Sequence, residues 1–100
     1  MTKEELQILS FNIISNAGDA LDCFYNSILN FKNNDLEIAK EKFNKGKLHL
    51  KDAHKFQTKL IQREANNEKI PYSLIMTHAQ DHLNSAINWE RMVNLLINND

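Results

Sequence analysis

The side chains best suited to chemistry in this sequence are gathered in His78-Ala79-Gln80-Asp81-His82. If the segment is helical, positions 78, 81, 82 and 85 share one face, because residues three and four apart are neighbours on a helix. His78, Asp81, His82 and Ser85 then form a polar stripe in a segment that is otherwise largely apolar. Burying such groups costs free energy unless they are paired. A polar, ionisable stripe flanked by apolar residues is a candidate functional site.

Three readings fit the stripe. In the first, both histidines are packing residues on a helix surface. In the second, two imidazoles at i and i+4 share a metal ion with the aspartate beside them. That spacing is similar to the His-x-x-Glu-His motif of zinc hydrolases, with Asp in place of Glu. The chain is short for such an enzyme, and only His49 and His54 remain as further imidazole ligands, so hydrolytic zinc ranks last. In the third, a neutral imidazole takes a phosphoryl group on one ring nitrogen while the other is held. No Gly-rich loop or Walker lysine is present to bind a nucleotide. The phosphoryl group would then have to arrive on another protein. Residue chemistry alone leaves the first and third readings open.

Three helical windows must position the stripe. Only two glycines and one proline occur in 100 residues, too few for the turns of an all-β domain. The first window runs from about Lys3 to Phe31, opened by the capping-box spacing of Thr2 and Glu5. Its apolar stripe is Leu6, Leu9, Ile13, Ala17, Ala20, Phe24, Ile28 and Phe31. The second runs from about Asp35 to Ala65 after the break Asn33-Asn34, with Asn34 as the expected cap. Its stripe is Leu36, Ala39, Phe43, Gly46, Leu50, Ala53, Gln57 and Leu60. The third opens at Pro71, whose fixed φ suits a first helical turn. It continues to about Ile97 and frays over 98–100. Asn66-Asn67-Glu68-Lys69 supplies the connection.

Each window is roughly 40–45 Å long at the α-helical rise. Connections this short force neighbours antiparallel. The expected fold is all-α, an up-down-up three-helix bundle that is one domain over residues 1–100. The apolar stripes of the first and third windows are too wide for a single seam. Surplus apolar surface of that kind marks association, so a homo-oligomer is expected.

Composition narrows the function classes. Hydrophobic residues make up 42% and charged residues 25%, with 12 basic and 13 acidic side chains and a net charge of −1. Disordered and collagen-like classes are excluded, and the charge balance offers no footprint for a nucleic acid. The lysines at 40, 42, 45, 47, 51, 55 and 59 read as a solvated face, since acids are interleaved. A single cysteine, Cys23, makes no internal disulfide and fits a reducing compartment. No stretch has the apolar length of a bilayer span and the start lacks the order of a signal peptide. A cytoplasmic location without membrane insertion is expected.

Pro71-Tyr72-Ser73 followed by His78-Ala79-Gln80-Asp81-His82-Leu83 resembles the signature of the enzyme IIA component of the lactose/cellobiose class of the phosphoenolpyruvate-dependent sugar phosphotransferase system. Ala17-Gly18-Asp19-Ala20 agrees, as do Ala53-His54 and Gln57-Thr58-Lys59-Leu60-Ile61. The resemblance spans essentially the whole chain. Thr77 and Asn84 depart from it where methionine is frequent, and Leu74 where a smaller residue is common.

The resemblance implies a homotrimer of three-helix subunits. It implies that His78 is phosphorylated on Nε2 by the carrier protein HPr and passes the group to a cysteine of the matching IIB component, for uptake of a β-disaccharide such as cellobiose, chitobiose or lactose. It implies that Asp81 stands at the trimer axis, where three copies hold one divalent ion. Three crowded carboxylates need a cation or a proton, and oxygen ligands suit Mg2+. Gln80, His82 and Thr77 are the supporting residues. The rival class is a helical interaction module with no covalent step.

Gly18 reads as a close-packing position, in an assembly or at the His78 site, and Gly46 likewise. His54 and Gln57 share a face, bordering the site or bonding each other. Trp89 reads as a core or interface residue and Cys23 as a small core residue.

Overall fold

The computed structural model describes residues 1–98 and contains three helices, α1 (Lys3–Lys32), α2 (Leu36–Ala65) and α3 (Leu74–Ile97), with no strand among the described residues. The start of α1 follows from its capping box. The Thr2 hydroxyl accepts from the Glu5 backbone N–H at 3.1 Å, and the Glu5 carboxylate accepts from the Thr2 N–H at 3.1 Å.

Both connections are built on asparagine pairs. Asn34 and Asn67 take left-handed backbone angles, with φ of 61° and 64°. After α1, the Asn34 N–H donates to Phe31 O and the Asp35 N–H to Asn30 O; after α2, Asn67 donates to Glu64 O and Glu68 to Arg63 O. Each is a Schellman stop, with asparagine in the place glycine usually takes. Asn34 therefore terminates α1, and the sequence expectation that it caps α2 is not met. The residue before α2 is Asp35, whose side chain makes no capping bond.

The third helix starts later than Pro71. Ser73 is its N-cap, with its hydroxyl accepting from the Met76 N–H at 3.1 Å. The hydroxyl satisfies a free N–H of the first turn, and Pro71 stays in the extended lead-in. At the other end Asn98 caps through its N–H to Asn94 O. The remaining two positions of the expected fray lie outside the described residues.

The core runs along one face of each helix. On α1 the buried residues are Leu6, Ser10, Ile13, Ala17, Ala20, Phe24 and Ser27, a strict alternation of four and three. Ser10 and Ser27 enter where Leu9 and Ile28 were expected, and those two are half-buried beside them. Their hydroxyls are satisfied: Ser10 donates to Leu6 O and Ser27 to Ala39 O of α2, both at 2.7 Å. Phe31 and Leu36, expected in the core, are exposed at the bundle end. On α3 the buried residues are Met76, Ala79, Leu83, Ala86, Val93 and Ile97, with Ile75 half-buried beside Met76.

Pairings fix the directions. Ser27 meets Ala39 and Glu5 meets Arg63, so α2 runs back along α1. Gln57 meets Gln80, while the α2 stretch Lys47–His54 shares a hollow with Glu90, so α3 returns along α2. The rod measures 49 × 20 × 15 Å. The α1–α2 seam is tight at Gly46, where an added Cβ would stand 2.6 Å from Phe24 Cε1. Gly18 is the opposite case, since an added Cβ there would meet nothing within 4 Å.

Candidate functional site

The α3 face carrying His78, Asp81, His82 and Ser85 lies beside α1, with His78, Asp81 and Ser85 exposed and His82 half-buried. The one-turn offset stacks the two imidazoles. Their centroids are 4.5 Å apart with planes at 85°, and His82 Nε2 lies 3.0 Å from His78 Nε2. At this distance the two nitrogens form a hydrogen bond when one ring holds hydrogen on Nε2 and the other offers its lone pair there.

Two hollows open on either side of this pair. One, about 470 Å³, is walled by Phe11, Ile14, Leu74, Ile75, Thr77, His78 and Asp81. The second, about 300 Å³, is walled by Leu21, His78, Asp81, His82 and Ser85. His78 and Asp81 border both. The walls are largely apolar, and Phe11, Tyr25, Leu74, Met92 and Leu96 stand exposed around the same α1–α3 side. The Tyr25 and Trp89 rings meet at a tilt of 54° with centroids 6.4 Å apart.

The other sequence candidates sort by direction around α3. Thr77 borders the first hollow, with its hydroxyl donating to Ser73 O at 3.2 Å. Gln80 is two residues from His78, about 200° around a helix, and faces α2. Its amide donates to Gln57 Oε1 at 2.7 Å and approaches the Met76 sulfur at 3.1 Å. Gln57 thus bonds Gln80 and not His54. His54 is exposed and lines a separate hollow with Lys47, Leu50, Lys51 and Glu90. The Gln57–Gln80 pair was missed as a pair. Its only trace in the sequence is a polar residue at a core-spaced position of each helix.

The described residues bring no three His, Cys, Asp or Glu side chains together as a metal site within one chain. Asp81 alone offers the hard oxygen ligand that Mg2+ prefers, on an exposed face. Its carboxylate fits such an ion when copies on neighbouring chains supply further oxygens. Cys23 is half-buried, and burial raises its thiol pKa, against catalytic use. No helix among the described residues is long and apolar enough to cross a membrane. A larger depression, about 880 Å³, runs beside α2 between Asn16, Lys51, Lys55 and Lys59. Its position is away from the paired imidazoles.

Comparison with known proteins gives one answer at three levels. The profile of the family described as "PTS system, Lactose/Cellobiose specific IIA subunit" matches residues 8–99. The lactose-specific EIIA component of Staphylococcus aureus is 37% identical over 87 residues, covering 87% of this chain and 84% of that protein. The lichenan-specific phosphotransferase enzyme IIA component of Bacillus subtilis is 39% identical over 84 residues, covering 84% of this chain and 76% of that protein. Among solved structures, PtcA from S. mutans superimposes with a TM-score of 0.95 at 31% identity, covering 98% of this chain and 96% of that one. The cellobiose-specific enzyme IIA of Bacillus anthracis does so with 0.90 at 35% identity, covering 98% and 88%.

Proposed function

Because this chain belongs to the lactose/cellobiose-specific IIA family of the sugar phosphotransferase system, we propose that it carries a phosphoryl group on Nε2 of His78. The group is accepted from phospho-HPr and delivered to a cysteine of the cognate IIB component, in support of β-disaccharide uptake. The observation that carries this reading is the exposed His78 ring, set between two open hollows with its Nε2 facing a second imidazole.

The transfer asks for geometry more than for bond-making machinery. The His78 Nε2 lone pair attacks phosphorus as the donor's nitrogen–phosphorus bond breaks, and the departing pair stays on the donor ring. Holding nucleophile and phosphorus in line supplies most of the acceleration. The apolar collar of Phe11, Ile14 and Leu74 suits a protein donor, since it excludes water where the groups meet.

The working form is a homotrimer in this reading. It is supported by the exposed apolar side chains of α1 and α3 and by Asp81, one carboxylate per chain on that same side. Three copies would hold one Mg2+, which would neutralise the crowded carboxylates and take no part in the transfer. Asp81→Leu then keeps the assembly and binds no divalent ion, as read by sedimentation and metal analysis.

The direct test is mass gain on mixing with phosphoenolpyruvate, enzyme I and HPr. One acid-labile, alkali-stable phosphoryl group per chain is expected, mapped to His78. His78→Gln should fold and stay unlabelled; labelling of that variant at another histidine overturns the assignment.

A further inference from the structure

Resting on the reading that His78 Nε2 receives the phosphoryl group, we propose that His82 is its exchanging hydrogen-bond donor. The His82 Nε2–H donates to the His78 Nε2 lone pair before transfer and to a phosphoryl oxygen after it. The geometry places the two Nε2 atoms 3.0 Å apart, with the rings edge to face. A hydrogen bond between them puts the proton on one of the two. If it sat on His78 Nε2, that nitrogen would have no lone pair in the ring plane and could not attack phosphorus. The reactive arrangement therefore has the proton on His82, with His78 carrying its own proton on Nδ1.

The other two supporting residues of the motif are occupied. The Gln80 amide is turned to Gln57 on the far side of α3, and the Thr77 hydroxyl donates to Ser73 O. His82 is also the more buried member of the pair, so its ring is held while the exposed His78 ring meets the partner.

The step balances without moving a proton. The lone pair on His78 Nε2 becomes the new nitrogen–phosphorus bond. The donor's nitrogen–phosphorus bond breaks and its pair stays on the donor ring. The hydrogen on His82 Nε2 remains there and changes acceptor, from the ring nitrogen to an oxygen bonded to the incoming phosphorus. A hydrogen bond to an anionic oxygen is roughly twice as strong as one between neutral groups. The contact is thus stronger once phosphorus has arrived than before, which is the condition for it to accelerate transfer.

The test is rapid-quench phosphorylation by phospho-HPr of the wild type, His82→Ala and His82→Gln. Circular dichroism and sedimentation verify that each is folded and assembled. Nitrogen NMR of the unphosphorylated wild type reads the His78 tautomer. Loss of one donor to developing charge costs on the order of 10²-fold in comparable sites. His82→Ala should slow labelling of His78 by roughly that factor, and His82→Gln, whose amide N–H still donates, should recover most of it. The NMR should find hydrogen on His78 Nδ1 and none on Nε2.

Hydrogen on His78 Nε2 overturns the proposal. So does wild-type labelling in His82→Ala, or equal rates in the alanine and glutamine variants. In each of those cases labelling at His78 itself stands. A wild type that takes up no label at His78 overturns both the carrier reading and the exchange built on it.

Discussion

At the scale of single residues, position around α3 decides what each polar side chain does. The spacing rule put His78, Asp81, His82 and Ser85 on one face, and the structure brings them there. Spacing carried no information on ring orientation, so the direct contact between the two Nε2 atoms was not legible. Gln80 shows the converse limit. It belongs to the same short motif, yet an offset of two residues turns it to α2, where Gln57 is the partner. Among the described residues this is the hydrogen bond that joins α2 to α3. Gln57→Leu strands a half-buried amide, which costs about 1–2 kcal/mol. Gln57→Glu keeps an acceptor and should lose less. Urea midpoints of the two variants check the order.

At the scale of helices, the seams were readable and the ends were less so. Three-and-four spacing located most of the buried positions, because burial is what that spacing reports. It passed over Ser10 and Ser27, whose hydroxyls are satisfied by backbone carbonyls in the core, since that spacing follows apolar side chains only. Proline at 71 was favourable for a helix start, but the Ser73 hydroxyl competes better by bonding Met76 N–H. Between α1 and α2, Gly46 leaves no room for a Cβ under the fully buried Phe24 ring. Gly46→Ala should therefore destabilise by about 1–3 kcal/mol through overpacking, despite alanine's better helix propensity; thermal melts decide the sign. Near the α2–α3 connection, Arg63 bonds both Glu68 and Glu5. The Arg63 guanidinium, then the terminal ammonium, holds the Glu68 carboxyl from its ordinary 4.5 down to about 2. The Thr2 backbone N–H, then Arg63, lowers Glu5 as well. A depressed carboxyl stabilises the fold while ionised, so this contribution is present above about pH 4.5. It is lost as pH falls towards 2. A melting-temperature series should decline through that window, and Glu68→Gln should make the decline shallower.

At the scale of the whole molecule, Gly18 is the residue that a lone chain does not explain. A glycine inside a helix costs about 1 kcal/mol relative to alanine, and a Cβ here would meet nothing within 4 Å. Within α1 it lies at helical spacing between Ile14 and Leu21, which wall the two hollows beside His78. The same side exposes Phe11 and Tyr25 of α1 and Leu74, Met92 and Leu96 of α3. Apolar surface of this extent is characteristic of an interface. The proposed assembly gives the bare backbone at Gly18 a purpose, namely close approach of a neighbouring copy. Gly18→Ala and Gly18→Leu separate that account from a merely tolerated glycine. Neither added side chain is opposed at Cβ inside its own chain, so both variants should keep wild-type helix content. A lone helix should gain stability from the alanine. Under the assembly account, Gly18→Leu sediments as single copies at concentrations where the wild type sediments as three, and it loses labelling at His78 in parallel. A Gly18→Leu protein with the wild-type sedimenting mass would place the contact between copies elsewhere on the rod.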